Sequence, residues 1–223
     1  MTEVPHWLDR LAANAPTTPV PARLRPPARG GRKAAVLALF GDGPYGTDVL
    51  LIQRSLRGRR HPGQPAFPGG GVDPGDDGPV GAALREAEEE TGLNPRGVTV
   101  LGTMPELYLS HSDNRVTPVL GWWHDPSAVH AASPDEVDSV ERVPVGELTD
   151  PANRLMLRWR ADLAGPAFRV RGMLVWGFTA AVLDGLLRDG GLEQPWDRGR
   201  IEEIPPEVLN AGPRLTPPAP AAS

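Results

Sequence analysis

Residues 84–93 read LREAEEETGL, and four of these ten residues, Glu86, Glu88, Glu89 and Glu90, are carboxylates. The spacing predicts an amphipathic helix over 79–91. Val80, Ala83, Leu84 and Ala87 recur at i, i+3, i+4 and i+7. Pro79 suits a first turn, and Gly92 suits the position just beyond the last. At about 100° per residue, Glu86, Glu89 and Glu90 share one face beside the apolar stripe. Arg85 stands at its edge, within i,i+4 reach of Glu89, while Glu88 turns to solvent. Like charges four apart, such as Glu86 and Glu90, repel by on the order of 0.2–0.5 kcal/mol. A hard divalent cation with oxygen ligands turns that repulsion into chelation. A glutamate-rich face is also ordinary solvated surface, given the helix propensity of Glu. The preceding loop separates the two readings. FPGGGVDPGDDGP (67–79) sets a glycine cluster and three acids, Asp73, Asp76 and Asp77, directly before the helix. Glycines let a backbone approach phosphate closely. A glycine loop, acids and an acidic helix together suit a metal and a diphosphate.

Outward from the helix, short apolar runs read as strands at 34–40, 47–54, 97–107, 115–123, 136–143 and 167–170. A second long helix is expected over 172–191, closed by Gly190 and Gly191, with a short helix at 5–14 and one helical turn at 146–150. Residues 15–32 are proline-rich and aperiodic, and read as a linker or extended arm. Residues 55–79 read as one long loop. The tail from Pro205 has little to bury and is expected to be disordered. The division is therefore 1–33, a helix and arm; 34–190, the folded domain; and 191–223, a mostly disordered extension. Mixed strands with two principal helices indicate an α/β or α+β sandwich.

Composition narrows the function. The 223 residues are 39% hydrophobic and 23% charged, with a net charge of −5 and no cysteine. That excludes a disulfide framework or thiolate site and gives no footprint for general nucleic-acid binding. No apolar run is long enough to span a bilayer. No signal peptide is expected at the N-terminus, so the cytoplasm is the default location. Gly (26) and Pro (27) are abundant, in keeping with long loops.

Residues 85–93, Arg-Glu-Ala-Glu-Glu-Glu-Thr-Gly-Leu, resemble the second half of the Nudix hydrolase box: G, five residues, E, seven residues, R-E-U-x-E-E-x-G-U, with U a bulky apolar residue. Ala87 takes the inner U position. Two alignments serve the first half. In one, Gly71 is the glycine and Asp77 the upstream acid. In the other, Gly70 and Asp76 take these places, with one residue inserted. A narrower resemblance lies in QRSLRGRRHPGQPAFPGG (53–70), similar to the element Q-R-S-x-x-L-R-x-H-x-G-Q-x-x-F-P-G-G of the coenzyme A diphosphatase branch. Gly58 replaces the leucine. NRVTPVLG (114–121), DEVDSVERVP (135–144) and VWGFTA (175–180) also resemble that branch, whose longer box favours the Gly70/Asp76 alignment.

The resemblance implies a Nudix-type α/β/α sandwich with a mixed β-sheet between helices. It implies Mg²⁺- or Mn²⁺-dependent hydrolysis of the diphosphate bond of coenzyme A or an acyl derivative, giving 3′,5′-ADP and (acyl-)4′-phosphopantetheine. Glu86, Glu90 and Glu89 are the expected metal ligands, with the Gly70 carbonyl a further one and Arg85 holding Glu89. Two acids compete for the general base, Glu86 and Glu136, with Asp138 behind the latter. Arg54, Arg59, Arg60, His61 and Gln64 are the expected substrate contacts, since an arginine fork suits phosphate oxygens. Of the six tryptophans, Trp122, Trp123 and Trp176 are expected in the core and Trp7 and Trp196 near the ends, and none is assigned to the substrate. The implied partner is a small nucleotide, and a homodimer is compatible with the family. The rival readings are a Nudix diphosphatase for ADP-ribose or dinucleotides, and a non-catalytic nucleotide-binding regulator, which would be expected to lack the box acids.

Overall fold

The computed structural model describes residues 3–57, 62–206 and 208. In chain order its elements are α1 (His6–Asn14), β1 (Arg32–Gly43), β2 (Gly46–Arg54), β3 (Pro65–Ala66), β4 (Gly69–Gly71), α2 (Gly78–Thr91), β5 (Val98–Thr103), β6 (Leu107–Leu109), β7 (Asn114–Trp123), β8 (Val137–Pro144), α3 (Val145–Thr149), β9 (Arg154–Arg160), β10 (Leu163–Val170), β11 (Met173–Val175), α4 (Gly177–Asp189) and β12 (Ile201–Glu203). The main sheet runs β3-β2-β1-β7-β5, with β4 also on β1, β6 on β7 and β8 on β2. It is mixed: β1 and β7 are parallel, with Ala35 opposite Thr117, and the other pairs are antiparallel. A strand buried on both faces needs a continuous apolar run. AAVLALF in β1 and PVLGWW in β7 supply it, and both lie at the centre of the sheet.

Two cores flank this sheet. On one face, Ala35, Leu37, Leu39, Leu50 and Val119 pack against Ala82, Ala83 and Ala87 of α2. On the other, Phe40, Leu51 and Trp122 pack against Leu8 and Leu11 of α1 and Leu183, Leu186 and Leu187 of α4. The result is the expected α/β/α sandwich with a mixed sheet. Helix α2 ends as its sequence predicts, with Gly92 left-handed at φ 68° and its N–H donating to the Glu88 carbonyl.

Several elements differ from their sequence expectation. The helix expected from 172 begins at Gly177, because Arg171 and Gly172 take positive φ (51° and 75°) and turn β10 back into β11. Such paired positive φ values match the twist of a hairpin. The strand expected over 97–107 is two pieces, β5 and β6, with a register shift at Val100/Gly102. The 55–79 loop contains β3 and β4. Residues 15–32 hold two 3-10 turns, Ala15–Thr17 and Ala22–Leu24; Ala15 is buried and Leu24 packs against the core. A second sheet, β11-β10-β9-β12, was not anticipated beyond the strand at 167–170. Within the 191–223 extension, β12 pairs with β9 and Ile204 is buried; residues 207 and 209–223 lie outside the described residues.

An ion pair ties α4 to the second sheet. The Arg154 side chain is fully buried, bonded to Asp184 of α4 and 3.4 Å from Glu193. Its guanidinium lies 5.1 Å from the Phe168 ring and 4.4 Å from the Trp196 ring. Removing one partner of a buried pair leaves an uncompensated charge. Asp184→Ala is expected to lower stability by about 3 kcal/mol, and adding Arg154→Met to recover most of it. Urea denaturation of the two variants checks this; a single variant within about 0.5 kcal/mol of the parent would contradict it.

Candidate active site

Helix α2 lies close to the sheet because its inward residues, Ala82, Ala83 and Ala87, are small and fully buried. That approach carries Glu86 and Glu90 onto β4. Strand β4 pairs with β1 at Val36/Gly69, Ala35/Gly70 and Ala34/Gly71. A side chain on Gly69 (φ 154°) would meet the Ala35 carbonyl at 2.3 Å, and one on Gly70 would meet the Glu86 carboxylate at 2.4 Å. The glycine run is therefore the clearance that lets acidic helix and strand meet.

Glu90 is 2% exposed. Its Oε2 accepts the Gly69 N–H at 2.8 Å, and its Oε1 lies 3.8 Å from Nη2 of Arg54. Burial pushes its carboxyl up to about 7, against the pull of Arg54 and the Gly69 N–H, with Glu86 and Glu136 adding to the rise. Burial also raises Glu86, while Arg85 pulls it down and Glu89 and Glu136 push it up. Both carboxyls thus feel Glu136, which stands just before β8, beside the β2 end where Arg54 pairs with Val137. The Ser55 N–H donates to the Glu136 carbonyl at 2.8 Å and fixes that loop.

Arg85 organises the outer acids. Its Nε and Nη2 donate to the two oxygens of Asp76 at 2.9 and 3.1 Å, its Nη1 to Glu86 and Glu89 at 3.1 Å each, and its Nη2 to the Gly71 carbonyl at 3.0 Å. Asp76, not Asp77, is thus the upstream acid joined to this arginine. The bond to Arg85 holds Asp76 below the usual carboxylate range, and Asp76 in turn raises Arg85.

A cleft of about 1890 Å³ opens over these groups. Glu86, Glu90, Gly70, Glu136, Arg54 and Gln64 line it. Arg85 and Glu89 are not among its lining residues, and 57% of the Glu89 side chain is exposed. The Arg54 guanidinium is directed to Glu90 and to the Gly69 carbonyl at 3.1 Å. Arg59, Arg60 and His61 lie outside the described residues. Trp122 and Trp123 are buried, as expected, but Trp159 and Trp176 line the cleft with Phe178 and Leu163. Arg23, Arg32 and Lys33 line it too, unforeseen in sequence. The available signal was the pair Arg32-Lys33 directly ahead of the β1 run; what was missing was the β1/β4 register.

Among the described residues no three His, Asp or Glu side chains form a ready metal cage. The donor set nevertheless suits a hard cation, which takes one or two carboxylates and completes its shell with phosphate and water. Two largely buried carboxylates, both raised chiefly by burial, face a backbone with no side chain to obstruct the approach.

A stability effect follows for the metal-free protein. The folded Glu90 carboxyl keeps its proton at a pH where the unfolded one has lost it. Its contribution is fully present below 4.5 and is lost as pH rises through about 7. The span corresponds to about 3 kcal/mol. In chelator, Glu90→Gln is expected to be more stable than the parent at pH 8 and equal to it near pH 4.5. Urea midpoints across that range check it, and parallel pH profiles would contradict it.

The NUDIX domain model matches residues 31–163. The chain is 35% identical over 175 residues to a protein of Escherichia coli O7:K1 named uncharacterized Nudix hydrolase NudL, covering 73% of this chain and 84% of that one. It is 42% identical over 142 residues to the Citrobacter koseri protein of the same name, covering 60% and 71%. Among solved structures, a Nudix hydrolase from M. smegmatis, RenU, is 27% identical over 55% of this chain and 76% of that one, with a TM-score of 0.41. The domain match and the 35% identity over most of both chains establish that this protein is a hydrolase of the Nudix family.

Proposed function

We propose that the protein hydrolyses the diphosphate bond of coenzyme A or an acyl derivative, releasing 3′,5′-ADP and (acyl-)4′-phosphopantetheine. The observation that carries the diphosphate chemistry is the meeting of Glu86 with the side-chain-free backbone of Gly70, and of Glu90 with that of Gly69, in the lining of the cleft. The choice of coenzyme A rests on the element at 53–70 and on the size and two-sided character of the cleft. Its apolar wall of Trp159, Leu163, Trp176 and Phe178 suits a pantetheine or acyl arm, and its cations suit phosphate.

Glu86, Glu90 and the Gly70 carbonyl would hold Mg²⁺ or Mn²⁺, with Glu89 third. When bound, such an ion neutralises the diphosphate and lowers the pKa of an attacking water. Glu136 then takes the proton of that water, whose oxygen adds to one phosphorus as the P–O–P bridge breaks and the bridging oxygen leaves with the other phosphate. Glu136 is favoured over Glu86 as base because Glu86 already bonds Arg85 and borders Gly70. Arg85 acts by positioning: it fixes Glu86 and Glu89 against Asp76. Arg54 holds Glu90 and β4 in register and presents its partly exposed edge to the cleft.

Chromatography of products from coenzyme A, dephospho-coenzyme A, ADP-ribose and diadenosine polyphosphates, with Mg²⁺ or Mn²⁺, tests the substrate. Preferred release of 3′,5′-ADP from coenzyme A is expected; brisk ADP-ribose cleavage without it would overturn the choice. On the substrate cleaved, Glu136→Gln is expected to lower kcat about 100-fold or more with little change in KM. A variant with full turnover would remove Glu136 from the reaction.

A further inference from the structure

The family match begins at residue 31, but the cleft does not. Arg23 and Leu24, in the 3-10 turn Ala22–Leu24 of the N-terminal arm, line it together with Arg32 and Lys33 at the start of β1. Leu24 packs into the core beneath, which anchors the turn. Cations in this protein are usually answered by acids: Arg54, Arg85, Arg115, Arg142, Arg154, Arg158, Arg160, Arg169, Arg171, Arg188, Arg198 and Arg200 all form ion pairs. Arg23, Arg32 and Lys33 form none with any described residue. Arg32 gives one N–H to the Ser112 carbonyl at 2.9 Å, which steadies its side chain but leaves its charge unmatched. Arg23, Arg32 and Lys33 thus bring three cations without an acid partner to the lining of the cleft, in a chain of net charge −5. Such a lining focuses an anion.

Its position says which anion. The Lys33 carbonyl accepts the Val72 N–H at 3.0 Å, and Ala35 pairs with Gly70. Lys33 and Arg32 therefore stand two and three residues along β1 from the glycine backbone that faces Glu86. At roughly 3.3 Å per residue that is about 7–10 Å. That spacing leaves room for a second charged group on the same ligand beside the diphosphate at Glu86.

We infer that Arg23, Arg32 and Lys33 form a second phosphate subsite, completed by the N-terminal arm, for a phosphate monoester on the ribose of the nucleotide. The inference deepens the coenzyme A reading and rests on it for the identity of the ribose phosphate. It makes the arm a specificity element rather than a linker.

Calorimetric binding of 3′,5′-ADP and of 5′-AMP, without catalysis, tests it. The variants are Arg23→Ala/Lys33→Ala and a control of equal charge change away from the cleft, Arg10→Ala/Arg29→Ala. The parent and the control are expected to prefer 3′,5′-ADP by about tenfold or more, the worth of one charge-assisted bond or better. The cleft variant is expected to lose most of that preference with 5′-AMP binding unchanged. No preference in the parent, retention of it in the cleft variant, or equal loss in the control would each overturn the subsite. Coenzyme A turnover of the parent is measured alongside. Preference lost only in the cleft variant, in a parent that does not cleave coenzyme A, would uphold the subsite and reject the substrate assignment instead.

Discussion

One buried carboxylate governs this structure. Glu90 lies almost wholly out of solvent, against the Gly69 N–H and Arg54. An ionised acid in such a place is costly unless paired and hydrogen-bonded. Helix α2 must therefore hold one register on the sheet, with alanines beneath it and β4 opposite. Glycine is required at 69 and 70 for the same reason, since any side chain would strike backbone or the Glu86 carboxylate. The residual misfit, visible as the raised carboxyls of Glu86 and Glu90, is the kind of unsettled charge that marks functional sites. Stability and the proposed chemistry draw on the same residues, and a neutral isostere at 90 sets one against the other.

The site draws on segments far apart in the chain. The α2 acids, the glycines of β4, Arg54 at the end of β2 and Glu136 before β8 meet because β2 pairs with β8 and β4 with β1. The loop between β7 and β8 is tied to the end of α2 as well, with the His130 and Ala132 N–H groups donating to the Thr91 and Glu90 carbonyls. The second sheet and α4 supply the apolar wall, and the N-terminal arm supplies cations.

Much of this was legible in the sequence. Helix α2, its glycine stop, its inward alanines and the acidic face follow from a 3.6-residue period, and that period survives in the structure because a whole helix face is buried. The meeting of Glu86, Glu90, Gly70 and Glu136 was legible only through family resemblance, because strand register is long-range information that no local pattern carries. The second sheet was missed although RLMLRWR (154–160) alternates as a half-buried strand should, with Leu155 and Leu157 inward. The start of α4 was misplaced because Met173–Val175 is apolar in either state, and only the Arg171-Gly172 turn distinguishes them. The arm escaped because a 3-10 turn has no period to detect, and its anchors, Ala15, Val20 and Leu24, follow no regular spacing.

The central claim is that the acids crowd together to hold a divalent cation against a diphosphate. Anomalous diffraction from crystals soaked in Mn²⁺ with 3′,5′-ADP tests it most directly. A manganese peak coordinated by Glu86, Glu90 and the Gly70 carbonyl is expected, at about 2.0–2.3 Å. A well-occupied peak elsewhere, with Glu90 still bonded only to Gly69 and Arg54, would contradict it.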